Sequence, residues 1–310
     1  KQKVYFFDTY QYTRWFPVRF QWGFCPGDVT YIPQYPSIVK SRPLTLHNEN
    51  SVIMKLDKVR HFIFVNDKKT FESKKNMVIF RGKVKGKTSR KKFMEMYFHH
   101  PMCDLGDVSK NTTDPKEWQT EKKTIQEHLD YKFILALEGN DVASNLKWVM
   151  SSNSIAVMPQ PTCETWFMEG TLIPNYHYIE IKPDFSDLES RLQYYIEHID
   201  EAQEIIKHAN EYVKQFKNRK RENLISLLVL EKYFKVKQEK IDKMQRFLQG
   251  KGALMAFFAF LPFIGEAIAI ALGFMRSNVM LTSLSMFTGK LIRYIVMLSA
   301  LQGALSVMSV

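Results

Sequence analysis

The stretch of sequence that decides the fold is YKFILALEGNDVASNLKW, which covers residues 131–148. Its first part, residues 131–137, is almost entirely apolar, and a short apolar run of this kind is typical of a strand buried inside a parallel sheet. Residues 138–141 read EGND and interrupt the run with turn-forming residue types. The pattern from about residue 142 to residue 152 favours a helix. A buried strand, a turn and a helix together predict an α/β unit.

Further strands and helices surround this unit. Residues 77–80 and 154–158 are short apolar runs that predict buried strands, and residues 176–181 predict one more. Apolar residues recur at three- and four-residue spacings in residues 186–216, which predicts two helices there. Residues 130–216 therefore indicate an α/β domain built on a parallel sheet.

The residues upstream are harder to interpret. Residues 1–45 are rich in aromatic residues and proline without a helical period, so we predict short strands and ordered loops. Residues 59–65 read VRHFIFV and predict another strand. Residues 110–128 are polar, and we expect a linker followed by a helix.

The net charge points to an anionic partner. Lysine and arginine number 44 against 32 acidic residues, which gives a formal charge of +12. Such a charge suits nucleic acid, a phosphorylated ligand or an acidic membrane surface, although it also serves solubility alone. The sequence contains no helix-turn-helix pattern, RNA-binding motif or zinc motif, so we expect no nucleic-acid partner. The three cysteines, Cys25, Cys103 and Cys163, are far apart, which fits a reducing compartment and predicts no metal site.

A basic loop follows one of the predicted strands. Residues 77–80 lead directly into Arg81 and Gly82, and residues 83–92 carry most of the nearby positive charge. In open α/β sheets ligands bind at the carboxyl edge of the strands, so this loop is a candidate for anion binding. The alternative is a solvated basic loop with no ligand.

The C-terminal part differs in composition from the rest. Residues 235–251 are charged and favour a helix, whereas residues 252–275 carry a single charge, Glu266. Residues 291–310 form a second apolar run. Both runs are long enough to span a bilayer, so we predict a helical membrane segment. A buried helical hairpin is the alternative, as is a re-entrant helix broken at Pro262.

Residues from about 27 to 234 resemble glycosyltransferase family 90, most closely its bacterial lipopolysaccharide branch. No single motif is specific, but their order and spacing make a chance match improbable. The segments that carry the resemblance are GDVTYIP at 27–33, VKSRP at 39–43, NENS at 48–51, KVRHF at 58–62, FRG at 80–82, YKF at 131–133, EGNDVASNLKW at 138–148, ETWF at 164–167, HYI at 177–179 and DFSDL at 184–188.

The resemblance implies a GT-B fold, in which two Rossmann-like domains face a cleft. It also implies a nucleotide-sugar donor, a UDP-hexose, whose sugar is transferred with inversion and without an obligatory metal ion. The acceptor would be lipopolysaccharide or capsule polysaccharide. A transferase without a metal ion needs protein cations to offset the charge of the leaving diphosphate.

The resemblance also assigns residues to the donor site. Cationic side chains would hold the diphosphate, glycines would let the backbone approach it, and a helix beginning near Asn140 would direct its amide groups at it. The expected donor-binding residues are Arg81, Gly82, Arg90, Glu138, Gly139, Asn140, Asp141, Ser144 and Lys147. Replacing Arg81 or Lys147 by alanine should weaken UDP binding by about 1–3 kcal/mol. Glu138 could instead pair with Lys132.

An inverting transfer needs a general base for the acceptor hydroxyl, and Asp28 is the candidate. A plain turn aspartate is the alternative. We expect a partial N-terminal acceptor-side domain in residues 1–110, a C-terminal Rossmann-like nucleotide-sugar domain in residues 111–234, and membrane helices in residues 235–310.

Residues from about 236 to 301 resemble a second family, the DedA/SNARE-associated membrane proteins of YqaA type, over the C-terminal half of that family. The segments concerned are GAL at 252–254, LPFIGE at 261–266, GFMR at 273–276 and GKLIRY at 289–294. For the transferase, we expect a location at the cytoplasmic face of the bacterial inner membrane. The resemblance leaves an alternative function open, that of a transporter-like or scaffolding membrane protein fused to an inactive transferase fragment.

Overall fold

The structure is a computed structural model that describes residues 2–249 and 279–308. The strands are β1 (Gly23–Cys25), β2 (Ser37–Val39), β3 (Ser41–Pro43), β4 (Ser51–Ile53), β5 (Lys75–Gly82), β6 (Cys103–Asp107), β7 (Tyr131–Leu135), β8 (Ile155–Met158), β9 (Cys163–Thr165) and β10 (Ile179–Glu180). The α-helices are α1 (Gln2–Thr13), α2 (Lys58–His61), α3 (Thr88–Tyr97), α4 (Ile125–His128), α5 (Leu146–Val149), α6 (Leu188–Glu197), α7 (Ile199–Lys217), α8 (Arg219–Gln249) and α9 (Val279–Met308).

Five parallel strands form the larger sheet, in the order β10-β8-β7-β5-β6. Strand β7 lies in the middle, where Phe133 pairs with Ile155 of β8 and with Val78 of β5. Every residue of β7 is buried. A strand covered on both faces has no solvent side, which explains why its sequence is a nearly continuous apolar run. The predicted parallel sheet is therefore confirmed.

This sheet extends across the domain boundary expected from the sequence. Strands β5 and β6 precede residue 110, whereas β7, β8 and β10 follow it, yet all five belong to one sheet. The predicted division between residues 110 and 111 thus runs through the sheet. The chain divides instead into two compact units, Lys1–Glu231 and Lys232–Val310.

A smaller parallel sheet lies in the first part of the chain, with the strand order β1-β2-β4. Directly after β2, strand β3 leaves this sheet and pairs antiparallel with β9. Arg42 of β3 forms an ion pair with Glu164 of β9, with 2.7 Å between Nη2 and Oε1. The ladder and the ion pair connect the small sheet to the segment that follows β8 of the larger sheet.

The main core covers the face of the larger sheet that carries Phe80 and Phe133. Helix α3 contributes Phe93, whose ring meets Phe185 edge to face at 5.1 Å. Helix α6 contributes Leu192, which is fully buried. The two helices predicted in residues 186–216 are confirmed as α6 and α7, since their apolar residues follow the helical spacing and face this core.

Three local predictions are wrong in whole or in part. The short strands predicted in residues 1–45 are confirmed as β1, β2 and β3, but the segment begins with the helix α1, whose period is hidden because both of its faces carry aromatic residues. Residues 59–65 form no strand, because α2 occupies their start and the backbone N–H of Val65 donates to the Ser151 hydroxyl at 2.9 Å. The helix expected over residues 142–152 is confined to α5, which has four residues.

The C-terminal unit is helical in its described residues. The predicted charged helix is confirmed as the later part of α8. Within α9, the stretch Met280–Ser299 has a mean hydropathy of 1.2 and is long and apolar enough to cross a membrane by length and composition. The first predicted membrane run, residues 252–275, lies outside the described residues.

A buried carboxylate fixes the start of α8 against the rest of its unit. Glu222 accepts hydrogen bonds from the Lys55 ammonium at 2.7 Å and from the Trp166 indole at 2.8 Å. Burial lowers the pKa of Lys55, and Glu222 opposes that shift by stabilising the charged form.

We predict that Glu222→Ala lowers the free energy of unfolding by about 3–5 kcal/mol, because it leaves the buried ammonium of Lys55 without its counter-ion. Urea denaturation measures the loss. The matched control is Glu231→Ala on the same helix. The Glu231 side chain is exposed, so its removal should change the free energy of unfolding little. Equal stability of the two variants would refute the structural role of Glu222.

Candidate active site

The strand order of the larger sheet marks one place for a ligand. The connection from β5 through α3 leads to β6 on one side, while β7 lies on the other side of β5. At such a reversal the loops at the carboxyl ends of the strands diverge and leave a crevice, which is where ligands bind in open α/β sheets. The strand order therefore places the expected crevice between the ends of β5 and β7.

Arg90 of α3 occupies this position. Its guanidinium donates to the backbone carbonyls of Lys83, just after β5, and of Leu137 and Glu138, just after β7, at 3.0, 2.7 and 3.0 Å. Burial lowers the pKa of Arg90 to about 10, so it stays charged at neutral pH. No carboxylate among the residues that the structure describes forms an ion pair with Arg90. Arg90 therefore brings a positive charge to the crevice that carbonyl oxygens orient but do not neutralise.

Gly82 and Gly139 make room for this arginine. A Cβ atom at Gly139 would lie 3.2 Å from Nη2 of Arg90, and one at Gly82 would lie 3.3 Å from Nη1 and 2.5 Å from the Phe80 ring. The sequence predicts that both glycines allow the backbone to approach a nucleotide. In the structure they allow it to approach the guanidinium, and Gly82, Arg90 and Gly139 are brought together as one group.

A second polar group connects the carboxyl ends of the two sheets. Lys40 follows β2, is almost fully buried, and forms ion pairs with Asp28 after β1 and with Asp141 after β7, the latter at 2.7 Å. Asn140 donates to the other oxygen of Asp28 at 2.7 Å and accepts a hydrogen bond from Lys87. Asp28, Asn140 and Asp141, which were predicted separately, thus share one cluster.

The cluster keeps Asp28 ionised. Burial pushes the pKa of the Asp28 carboxyl upward, but the hydrogen bonds from Lys40 and Asn140 outweigh burial and lower the pKa to about 2. The carboxylate is therefore charged throughout the neutral range and accepts bonds from two donors. It is a weak base in this state, because a low pKa means a low affinity for a proton.

His61 lies near this cluster and was not singled out from the sequence. Its side chain is buried, and neither ring nitrogen has a hydrogen-bond partner among the described residues. Burial, together with the positive charges of Lys147 and Lys40, lowers its pKa to about 2, so the ring is neutral. The only sequence signal for it was its place in the KVRHF segment.

Arg81 and Lys147 lie apart from the crevice. The side chain of Arg81 turns toward β6, where its guanidinium forms an ion pair with Asp104 and lies over Gly106. Lys147 is fully buried and forms an ion pair with Glu169. Both charges are neutralised by carboxylates, and the predicted donor contacts of these two residues stay predictions.

Two further predicted residues have other surroundings. Glu138 accepts hydrogen bonds from the backbone N–H and the hydroxyl of Thr162, at 2.9 and 2.6 Å, while Lys132 lies over the Phe71 ring. The predicted alternative of a Glu138–Lys132 pair is therefore wrong. Ser144 is half-buried in the turn before α5.

The helix that was expected to begin near Asn140 begins at Leu146 instead. Polar side chains hold the preceding residues in turns, because Asp141 pairs with Lys40 and the Asn145 amide donates to the Leu135 carbonyl at 3.0 Å. The proposal that amide groups of a long helix meet the diphosphate is therefore wrong for this segment.

An open cavity of about 490 Å³ lies farther along the same edge of the sheet, at the ends of β8 and β10. Its polar lining consists of Gln160, Asn175, Glu180, Lys182, Asp187 and Arg191. Arg191 of α6 donates to the Glu180 carbonyl at 3.2 Å and to the Asn175 side chain. The sequence analysis missed this cavity, although the carboxyl-edge rule applies equally to the strand predicted at residues 176–181.

The described residues contain no group of three or more His, Cys, Asp or Glu side chains that could hold a metal ion. Arg90 brings positive charge to the carboxyl edge, as do Lys182 and Arg191 at the cavity.

Comparison with known proteins identifies the family of this chain. The sequence profile of glycosyl transferase family 90 matches residues 46–256. The O-glucosyltransferase LpsA of Dichelobacter nodosus is 41% identical over 234 residues, which are 76% of this chain and 73% of that protein. The profile match includes Arg90 and the loops after β5 and β7, whereas Asp28 and Lys40 of the ion cluster precede it. The chain therefore belongs to glycosyl transferase family 90 and is a glycosyltransferase.

Proposed function

We propose that this glycosyltransferase moves a glucosyl group from UDP-glucose, with inversion and without an obligatory metal ion, to a hydroxyl of a lipopolysaccharide or capsule acceptor. The reaction would take place at the cytoplasmic face of the bacterial inner membrane. The relative from Dichelobacter nodosus is an O-glucosyltransferase, which supports both a glucosyl group and an oxygen acceptor. The observation that carries the proposal is the unneutralised guanidinium of Arg90 at the crevice between β5 and β7.

Arg90 would hold the diphosphate. Three of its N–H groups are bound to carbonyl oxygens, which fixes the plane of the guanidinium, and the rest of the fork can meet phosphate oxygens. A charge that is already oriented stabilises the leaving diphosphate without reorganisation during the reaction. Gly82 and Gly139 complete this site because they keep Arg90 in place.

The nucleoside would lie along the carboxyl edge toward the cavity at Glu180 and Arg191. Three strand spacings of about 4.8 Å separate β5 from β10, which gives a distance of about 14 Å. That length suits a uridine diphosphate laid across the ends of β5, β7, β8 and β10. The carboxylate of Glu180 could accept hydrogen bonds from ribose hydroxyls, and Arg191 offers a planar surface for the base.

Asp28 would receive the proton of the acceptor hydroxyl. The acceptor oxygen forms a bond to the anomeric carbon while the bond from that carbon to the diphosphate oxygen breaks, and its electron pair leaves with UDP. Attack opposite the leaving group inverts the anomeric centre. Since Asp28 is a weak base, we expect the proton to move late, when bond formation has already made the hydroxyl acidic. The contacts predicted for Glu138, Asn140, Asp141, Ser144, Arg81 and Lys147 remain predictions.

Membrane attachment is the second part of the proposal. The stretch Met280–Ser299 of α9 has 20 residues, so at about 1.5 Å per residue it spans about 30 Å, the thickness of a hydrocarbon core. Large apolar side chains such as Leu284, Phe287 and Leu298 are exposed along it. The alternative, a DedA-like membrane function with an inactive transferase part, would be favoured if a chain cut after Phe234 kept donor binding but lost all cellular function.

We predict that Arg90→Gln weakens UDP binding by about 1.5–3 kcal/mol, or about ten- to a hundredfold in Kd, because it removes a charged hydrogen-bond donor. Titration calorimetry measures the change, and a thermal melt checks that the variant is folded. The matched control is Lys91→Gln, at the next residue of α3. The Lys91 side chain is exposed, so this variant should bind UDP as tightly as the parent protein.

Arg81→Ala and Lys147→Ala extend this test. Both residues are paired with carboxylates, so we expect them to affect stability more than UDP binding. If either weakens UDP binding by about 1–3 kcal/mol while Arg90→Gln binds UDP like the parent, the diphosphate lies at their position and the proposed site is wrong.

We predict that Asp28→Asn lowers kcat by about 10²–10⁴-fold and leaves the Kd for UDP nearly unchanged, as expected for a general base. The pKa of Asp28 is lowered to about 2, so its carboxylate is lost only as the pH falls through that value. The parent should therefore show no acid limb in kcat between about pH 5 and pH 8. Asp200→Asn on α7, at an exposed residue, is the control and should leave kcat unchanged. A fall of kcat toward acid near neutral pH in the parent would indicate another base.

A further inference from the structure

Helix α1 has polar residues beside Tyr5 and Tyr12 on its buried face, while its outer face is mainly aromatic. The residues on its buried face include Asp8 and Thr9, which are 8% and 3% exposed. On the opposite face Phe6, Phe7 and Tyr10 are 54%, 66% and 49% exposed. A helix whose outer face meets only water normally carries polar residues on that face, because burial of apolar surface is favourable.

Specific contacts fix this orientation. Asp8 accepts a hydrogen bond from the backbone N–H of Lys58 at 3.2 Å and lies 3.3 Å from its ammonium. The Tyr12 hydroxyl donates to the Asn223 side chain at 3.0 Å. Rotating the helix to bury Phe6 and Phe7 would break these contacts and expose Tyr5 and Tyr12, which are now buried. The outward aromatic face is therefore built into the fold.

The exposed surface continues into the turn after α1. Trp15 is 68% exposed and Val18 is fully exposed. Arg14 lies over the Trp15 ring at 4.9 Å, and Arg19 lies over the Phe20 ring at 5.7 Å. We define the aromatic surface as Phe6, Phe7, Tyr10, Trp15 and Val18. Two exposed arginines thus accompany its aromatic side chains.

The segment that carries the aromatic surface is basic in sequence. Residues 1–22 contain four cationic residues, Lys1, Lys3, Arg14 and Arg19, and a single carboxylate, Asp8. That carboxylate is buried and paired with Lys58. A surface with these features attracts an anionic partner.

The composition favours a lipid surface as that partner. Tryptophan, tyrosine and phenylalanine next to arginine are characteristic of segments that lie at the membrane interface, where rings enter the acyl boundary and cations meet phosphates. The chain carries an independent indication of a bilayer in the apolar stretch of α9. We propose that the aromatic surface lies in the interfacial layer of an anionic membrane, with Phe6 and Phe7 at acyl depth and Arg14 and Arg19 at phosphate depth. This inference does not depend on the identity of the donor or acceptor.

The test uses the full chain in nanodiscs that contain phosphatidylglycerol. A nitroxide is attached at Phe7→Cys in a Cys25→Ser background, since Cys103 and Cys163 are buried. We expect collisions with oxygen to exceed collisions with a water-soluble nickel complex, as for a label immersed in lipid. The control is the same label at Gln193→Cys, an exposed residue of α6, where nickel collisions should dominate.

A second label at Trp15→Cys repeats the measurement if the first variant folds poorly, and it should also report immersion. Arg14→Ser combined with Arg19→Ser should shift both labels toward water by weakening the attraction to phosphates. The inference is overturned if labels at residues 7 and 15 behave like the label at residue 193. Dipolar broadening between labels would show that a second copy of the chain covers this face, and would also overturn it.

Discussion

The buried ammonium of Lys40 is the constraint on which the rest of the site depends. A charge removed from water must be paired, and Lys40 meets Asp28 after β1 and Asp141 after β7. These partners come from loops at the carboxyl ends of two different sheets. Satisfying one ammonium therefore requires both carboxyl edges to converge on the same point. The convergence brings the proposed base within reach of the edge where the proposed donor lies.

The cationic side chains at this site differ in role according to whether a carboxylate neutralises them. Lys40, Lys147 and Arg81 each meet one or two carboxylates, and their charge serves mainly to hold loops and strands together. Arg90 meets three carbonyl oxygens, which orient it but leave its positive charge available. A diphosphate needs an available charge in a fixed position. This difference, rather than proximity in sequence, makes Arg90 the central residue of the proposed donor site.

Prediction from the sequence succeeded where a pattern has one physical meaning. The apolar runs of β5, β7 and β8 are buried on both faces, and α6 and α7 have one apolar face each, so run length and spacing identify them. It failed for α1, whose outer face carries Phe6 and Phe7 where polar residues would reveal the helical period. It also failed after residue 141, where Asp141 and Asn145 bond outside the expected helix.

The sequence by itself determined the α/β class, the parallel sheet and membership of glycosyl transferase family 90, because strand burial and motif order are written along the chain. Only the tertiary structure decided which charged side chains are free to meet a ligand. Arg81, Arg90 and Lys147 look equivalent in sequence. Their carboxylate partners, where they have them, are Asp104 and Glu169, which lie 23 and 22 residues away. Pairing over such separations depends on the folded chain bringing the side chains together, and the local sequence carries no record of it.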